Sequence, residues 1–80
     1  MDLKHQLVAA DRLLRDAQSM LDAQADVVAR LKARGYDNAS AEALLDALRE
    51  GVRLLTVDKE KLERELAEGE AENKRYSSQR

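Results

Sequence analysis

The chain has 80 residues, of which 38% are charged and 44% apolar, and its formal net charge is −2. This length allows one small domain, and the mixed charges argue against a general binder of nucleic acid or anionic membranes, which would present a basic face. Cysteine and proline are absent, which excludes disulfides and thiolate metal sites and is typical of long helices or coiled coils.

The first predicted element is a helix over about residues 2–34. Two series of residues recur in it every seven positions: Leu7, Leu14, Leu21 and Val28 form the a series, and Leu3, Ala10, Ala17, Gln24 and Leu31 form the d series. Positions a and d of a heptad face a partner helix. Leu13, Met20 and Val27 occupy the adjoining g position, so the apolar stripe is wider than a two-helix seam requires.

Residues 35–37 are predicted to form a turn. Three basic residues precede it, where the helix dipole is negative: Arg30, Lys32 and Arg34. Gly35 suits the left-handed conformation that follows many helices because it has no Cβ. Asp37 is the better N-cap for the next helix, and Ser40 is the alternative. So short a link must fold the two helices back on each other as an antiparallel hairpin.

The second helix is predicted over about residues 38–73. Its a series is Leu45, Val52, Lys59 and Leu66, and its d series is Ala41, Leu48, Leu55, Leu62 and Gly69. Large apolar residues stop after Leu66, so we expect the helix to fray and residues 74–80 to form a disordered tail.

A second set of small and apolar residues lies beside the seam of this helix: Leu44, Ala47, Gly51 and Leu54. Ala47 and Gly51 would let another backbone approach closely. A lone hairpin of this size buries little, so we predict that Leu13, Met20 and Val27 join this set in the interface of a homodimeric antiparallel four-helix bundle. The alternative is a monomer whose wide stripe covers an ordinary core.

Two polar residues, Gln24 and Lys59, interrupt the predicted seam. One interpretation is that they set the register of the pairing, as buried polar residues do in coiled coils. The other is that Gln24 bonds a nearby carbonyl and Lys59 extends its ammonium group to water.

His5 is the only histidine, and it lies near the start of the first helix. Dimerisation domains of histidine kinases are also hairpins that form four-helix bundles, so one functional alternative is phosphotransfer through His5. Their motif usually has an acidic residue directly after the histidine, whereas Gln6 follows here, and the other interpretation is an ordinary surface histidine. The helices show no Glu-x-x-His metal pairs and no serine with a histidine in reach. We therefore expect a non-enzymatic protein with no catalytic, cofactor-binding or metal site.

A third functional alternative is RNA binding by a dimeric hairpin, since the plasmid copy-control RNA-binding protein has the same architecture. Arg12 and Arg15, with Lys4 and His5, would form a modest basic strip. Asp11, Asp16 and neighbouring acids dilute that strip, and no exposed aromatic residue interleaves it. Asp11, Asp22 and Asp26 are interpreted as a solvated face.

The stretch GYDNASAEALLDALREGVRLL, residues 35–55, resembles short uncharacterised bacterial proteins that have a Gly-aromatic-Asp turn followed by Ala-Glu-x-Leu-Leu. The resemblance covers about residues 15–66, and it implies an α-hairpin without supplying an activity.

The sequence indicates surfaces for contact with other chains rather than residues for catalysis. We expect an all-α hairpin that acts as a protein–protein interaction module, such as a small adaptor, regulator or inhibitor. Its partner would be a second copy or an unidentified protein, with no membrane, nucleic acid or small-molecule substrate. No apolar run is long enough to span a bilayer and no signal-peptide core is evident, so we expect a cytoplasmic location.

Overall fold

The chain folds into two α-helices that lie side by side and antiparallel, as a hairpin. The computed structural model describes the backbone of residues 2–78 and the side chains of residues 2–72. Helix α1 spans Leu3–Ala33 and helix α2 spans Ala39–Ser78. The molecule is a rod of 70 × 17 × 14 Å, and within residues 2–78 neither helix is sufficiently long and apolar to cross a membrane. The predicted all-α hairpin is confirmed.

Both ends of α1 are capped, the first by a side chain and the second by backbone hydrogen bonds. At the start, Asp2 Oδ1 accepts the His5 N–H at 2.8 Å, so the helix begins one residue later than predicted. At the end, Gly35 adopts a φ of 71°, as its position predicts. The Gly35 N–H donates to Lys32 O at 3.1 Å and the Tyr36 N–H to Leu31 O at 3.0 Å. These two bonds form a Schellman motif, which satisfies carbonyls that the helix end leaves free.

Helix α2 begins at Ala39 rather than at the predicted residue 38. The carbonyl of Asn38 accepts the Glu42 N–H at 2.8 Å, and Asp37 Oδ1 accepts the Ala39 N–H at 3.1 Å. Asp37 therefore satisfies a free backbone donor, as predicted, but its assignment as the N-cap is wrong by one residue, because Asn38 directly precedes the helix and its carbonyl accepts the first helical bond. Ser40 lies inside α2 and is not its cap.

The far end of α2 differs more from its prediction. The helix continues to Ser78, past the predicted end at residue 73, and so includes most of the segment 74–80 that was predicted to be a disordered tail. Residues 79 and 80 of that segment lie outside the described residues. Residues 70–75, EAENKR, contain neither Gly nor Pro and consist mainly of good helix formers, which favour helix without any packing. With 40 residues against 31 in α1, α2 is longer by about 14 Å at 1.5 Å per residue.

The core of the hairpin is the predicted heptad seam. Every residue of the two a series and the two d series is buried or half-buried. Yet among the described side chains only Leu14, Val28 and Leu45 fall below a tenth of full exposure, at 8%, 5% and 6%. Two helices cover only one side of each other, so most seam residues keep a solvent-facing edge.

Candidate interaction surface

The antiparallel pairing decides which residues share a flank of the rod. Lys32 and Glu42 each directly follow a d residue, and their side chains bond across the hairpin at 2.7 Å. Because the helices run in opposite directions, equivalent heptad positions meet on the same side. The residues that directly precede the a series must then lie together on the other side. Leu13, Met20 and Val27 of α1 therefore share a flank with Leu44 and Gly51 of α2.

We call this side the apolar flank, and its residues are the predicted interface set: Leu13, Met20, Val27, Leu44, Ala47, Gly51 and Leu54. The five large side chains among them are 41–59% exposed. Ala47 is exposed and Gly51 is half-exposed. The structure thus places all of these residues outside the seam, where the hairpin itself does not cover them.

Three further exposed apolar side chains were not part of the predicted interface. Val8, Tyr36 and Val57 are exposed in the structure. Val57 follows Leu54 by three residues and lies at the outer edge of the apolar flank. Its helical spacing from Leu54 is the sequence signal that could have identified it. Val8 lies on the opposite side of α1, and Tyr36 lies in the turn.

Gly51 occupies open space on the apolar flank. A Cβ built at this position would meet no heavy atom within 4 Å. Packing between α1 and α2 therefore gives no reason for a glycine here, although glycine within a helix costs about 1 kcal/mol relative to alanine. Any close approach at Gly51 has to come from outside the hairpin.

The opposite side, which we call the charged flank, carries several ion pairs, with Val8 as its exposed large apolar side chain. Arg15 contacts Asp11 at 2.8 Å, and Arg49 contacts Asp46 at 3.4 Å, in addition to the Lys32–Glu42 pair. A shallow groove of about 400 Å³ runs along this side between Ala25 and Ala29 of α1 and the charged residues of α2. The two flanks of the rod are therefore chemically different.

The two polar residues in the seam both bond across the hairpin. Gln24 Nε2 donates to the Ala41 carbonyl at 2.9 Å, as one of the two interpretations predicts. Lys59 Nζ does not simply reach water, because it donates to Asp11 Oδ1 at 2.9 Å, and both side chains are about two-thirds covered. The interpretation of Asp11 as part of a solvated face is therefore wrong.

These contacts perturb the acid–base behaviour of Asp11. The hydrogen bond from Lys59 lowers the pKa of Asp11 below its ordinary value of 3.8, and the positive charges of Arg15 and Lys59 add to this, while partial loss of hydration opposes it. A carboxyl group with a lower pKa in the folded state stabilises the fold above its unfolded pKa. That contribution is lost as the pH falls through the folded value.

We therefore expect Asp11→Asn to be less stable than the unmodified chain at pH 7, with the difference shrinking once the pH falls below about 4. Urea unfolding followed by circular dichroism at pH 7 and pH 3 measures the difference in the free energy of unfolding between the two chains. Asp22→Asn is the matched control because its exposed carboxylate lies on the same helix outside the Lys59 contact. A difference for Asp11→Asn that stays constant with pH would contradict the assignment.

The residues of the two alternative functions are also placed by the structure. The His5 side chain is 76% exposed, and its Nδ1 lies 2.9 Å from Asp2 Oδ1. The same carboxylate oxygen caps the helix, so capping accounts for the contact.

In the basic strip, the guanidinium group of Arg15 is engaged by Asp11, which reduces the positive charge available to RNA phosphates. Residues 2–72 contain no group of three or more acidic or histidine side chains that could hold a metal ion.

Together these features define an all-α helical hairpin with one apolar and one charged flank. No protein-family model, curated protein or solved structure matches the chain. Of the resemblance to short bacterial proteins, the two-helix hairpin is supported by the structure, and no family or relative is identified.

Proposed function

We propose that this chain is a non-enzymatic protein–protein interaction module, a small adaptor, regulator or inhibitor, that works as a homodimeric four-helix bundle. The observation that carries the proposal is the apolar flank. Its five large side chains remain 41–59% exposed, while only three side chains of the described hairpin are buried. A contiguous exposed apolar surface on a thin helical protein is typical of a surface that another chain covers.

The free energy available from burying the apolar flank supports association. Full burial of a Leu, Val or Met side chain contributes about 1.5–3 kcal/mol, so side chains that are half exposed have about half of that still to gain. In a symmetric dimer each contact of the flank occurs twice, and the gain has to exceed the entropic cost of association. In the single hairpin this stabilisation is absent, because the apolar flank stays exposed to solvent.

The charged flank supports a role in specificity. In a bundle closed through the apolar flanks, the ion pairs of Lys32–Glu42 and Asp46–Arg49 stay on the outside. Surface charges of this kind guide the approach and choice of a partner more than they add affinity. A further partner protein would then meet a charged helical face on a preassembled dimer.

Gly51 gives the experiment that tests this proposal. We expect Gly51→Leu to weaken dimerisation about tenfold or more, because overpacking a close contact costs about 1–3 kcal/mol. Gly51→Ala should leave the dimer intact and raise helix stability by up to about 1 kcal/mol, since a Cβ there meets nothing in the hairpin. Light scattering across a dilution series measures the first effect, and thermal melting measures the second.

Gly69→Leu is the matched control, because it makes the same change in the same helix but outside the apolar flank, and it should leave the dimer at full strength. If Gly51→Leu also dimerises at full strength, the interface does not lie at Gly51. If the unmodified chain is monomeric throughout the dilution series, the proposal itself is refuted.

A further inference from the structure

Charge is distributed unevenly along the apolar flank. Near the turn, this side carries two basic residues, Arg30 in the last turn of α1 and Arg34 directly after the helix. Arg30 is paired with Asp26 at 2.5 Å, whereas Arg34 has no ion-pair partner among residues 2–72. Toward the open end of the hairpin, the same heptad positions of the two helices hold five acids, Asp16, Asp58, Glu65, Glu68 and Glu72, and one base, Lys61. These six side chains are all exposed. The flank is therefore positive at one end, apolar in the middle and mainly negative at the other end.

We propose that the second copy lies on this flank in the reversed direction, so that the two turns are at opposite ends of the dimer. The two-fold axis then crosses the rod at the level of Met20 and Gly51. This inference rests on the proposed self-association and adds to it the orientation of the partner. The occupant is a second copy because one flank carries both halves of a complementary charge pattern.

Most apolar residues of the flank fit this orientation, and Leu44 is the exception, because it lies level with Asp58 of the partner, seven residues from the axis. On α1, Leu13 and Val27 lie seven residues on either side of Met20. Reversal about Met20 therefore brings Leu13 of one copy level with Val27 of the other. On α2, Ala47 and Leu54 lie four and three residues on either side of Gly51, so a small side chain meets a large one. Gly51 of one copy faces Gly51 of the other at the axis, where the space between the helices admits a methyl group from each copy but not two leucine side chains.

The charges decide between the two orientations. If both turns were at the same end, the acids of the open halves would lie at the same end as each other, and so would the two Arg34 side chains. In the reversed dimer, Arg34 lies fourteen residues from the axis on one side, and Glu65 lies fourteen residues from it on the other. Arg34 of each copy is then level with Glu65 of its partner. Like charges across an interface suppress a pairing, and opposite charges favour it.

A spin-label distance measurement tests the orientation, and the absence of cysteine allows single labels at introduced sites. Ala33→Cys places a label thirteen residues from the proposed axis on an exposed position outside the apolar flank. In the reversed dimer the two labels are about 39 Å apart along the rod, at 1.5 Å per residue. With both turns at the same end, they are separated only by the width of the bundle, about 20 Å for helices 8–10 Å apart.

Ser19→Cys is the control, because this exposed position lies one residue from the axis level and gives a short distance in either orientation. A long distance at Ala33→Cys with a short one at Ser19→Cys supports the reversed dimer. Short distances at both positions would overturn the orientation and leave the self-association standing. Absence of any coupling between labels at Ser19→Cys, at concentrations where the unlabelled chain is tested, would remove the dimer and this inference with it.

Discussion

Met20→Glu is expected to convert the proposed dimer into a monomer. Met20 is 59% exposed in the hairpin, so a glutamate there is hydrated and tolerated in the single chain. In the dimer it would bring one carboxylate from each copy into the middle of an apolar contact. Burying an unpaired charge costs at least about 1 kcal/mol per copy, or about 2 kcal/mol for the dimer, so the dissociation constant should rise at least about 30-fold. Sedimentation equilibrium on the variant measures this change.

Gln18→Glu is the control for Met20→Glu. It adds the same charge two residues earlier on α1, at a position that directly follows the d residue Ala17 and so lies on the charged flank. The dimer should persist in this variant, and both variants should keep the helical content of the unmodified chain. If Met20→Glu dimerises as well as Gln18→Glu does, the apolar flank is not the interface.

Leu14→Ala should have the largest effect on the stability of the hairpin itself. Leu14 is 8% exposed in the centre of the seam, and removing three heavy atoms from a buried leucine costs about 2–5 kcal/mol. Urea unfolding followed by circular dichroism measures the loss, which should be present at every protein concentration because the seam lies within one chain.

Leu13→Ala removes the same atoms from the next residue, which is 55% exposed on the apolar flank. Its effect on unfolding should be small in dilute solution and should grow with protein concentration, because Leu13 contacts the second copy in the proposed dimer and lies outside the seam. Equal losses for Leu13→Ala and Leu14→Ala in dilute solution would show that the two residues do not occupy different environments.

The fold was predictable because its determinants are local. The seven-residue spacing of Leu7, Leu14 and Leu21 selects the face that is buried, and the positive φ of Gly35 follows from a requirement that glycine meets most easily. The end of α2 was missed because the loss of large apolar residues after Leu66 was interpreted as fraying. Helix propensity alone continues the helix there, since the residues that follow are mainly good helix formers.

The candidate surface was predictable for a related reason. A residue that directly precedes an a position lies beside the seam in any antiparallel hairpin, so the exposure of Leu13 and Leu44 follows from spacing. The bond between Asp11 and Lys59 does not follow from heptad spacing. These residues are 48 positions apart, and they meet only because the turn fixes how far one helix is shifted along the other. That shift is a property of the folded pair, and heptad spacing leaves it undetermined within a turn.

The mass of the unmodified chain in solution, followed by sedimentation equilibrium over a wide range of concentration, tests most directly whether the apolar flank is covered by a second copy. The account predicts a species of twice the 9.0 kDa of one chain at high concentration, which dissociates on dilution. A folded species of 9.0 kDa at every concentration, unfolding cooperatively and independently of dilution, would contradict it.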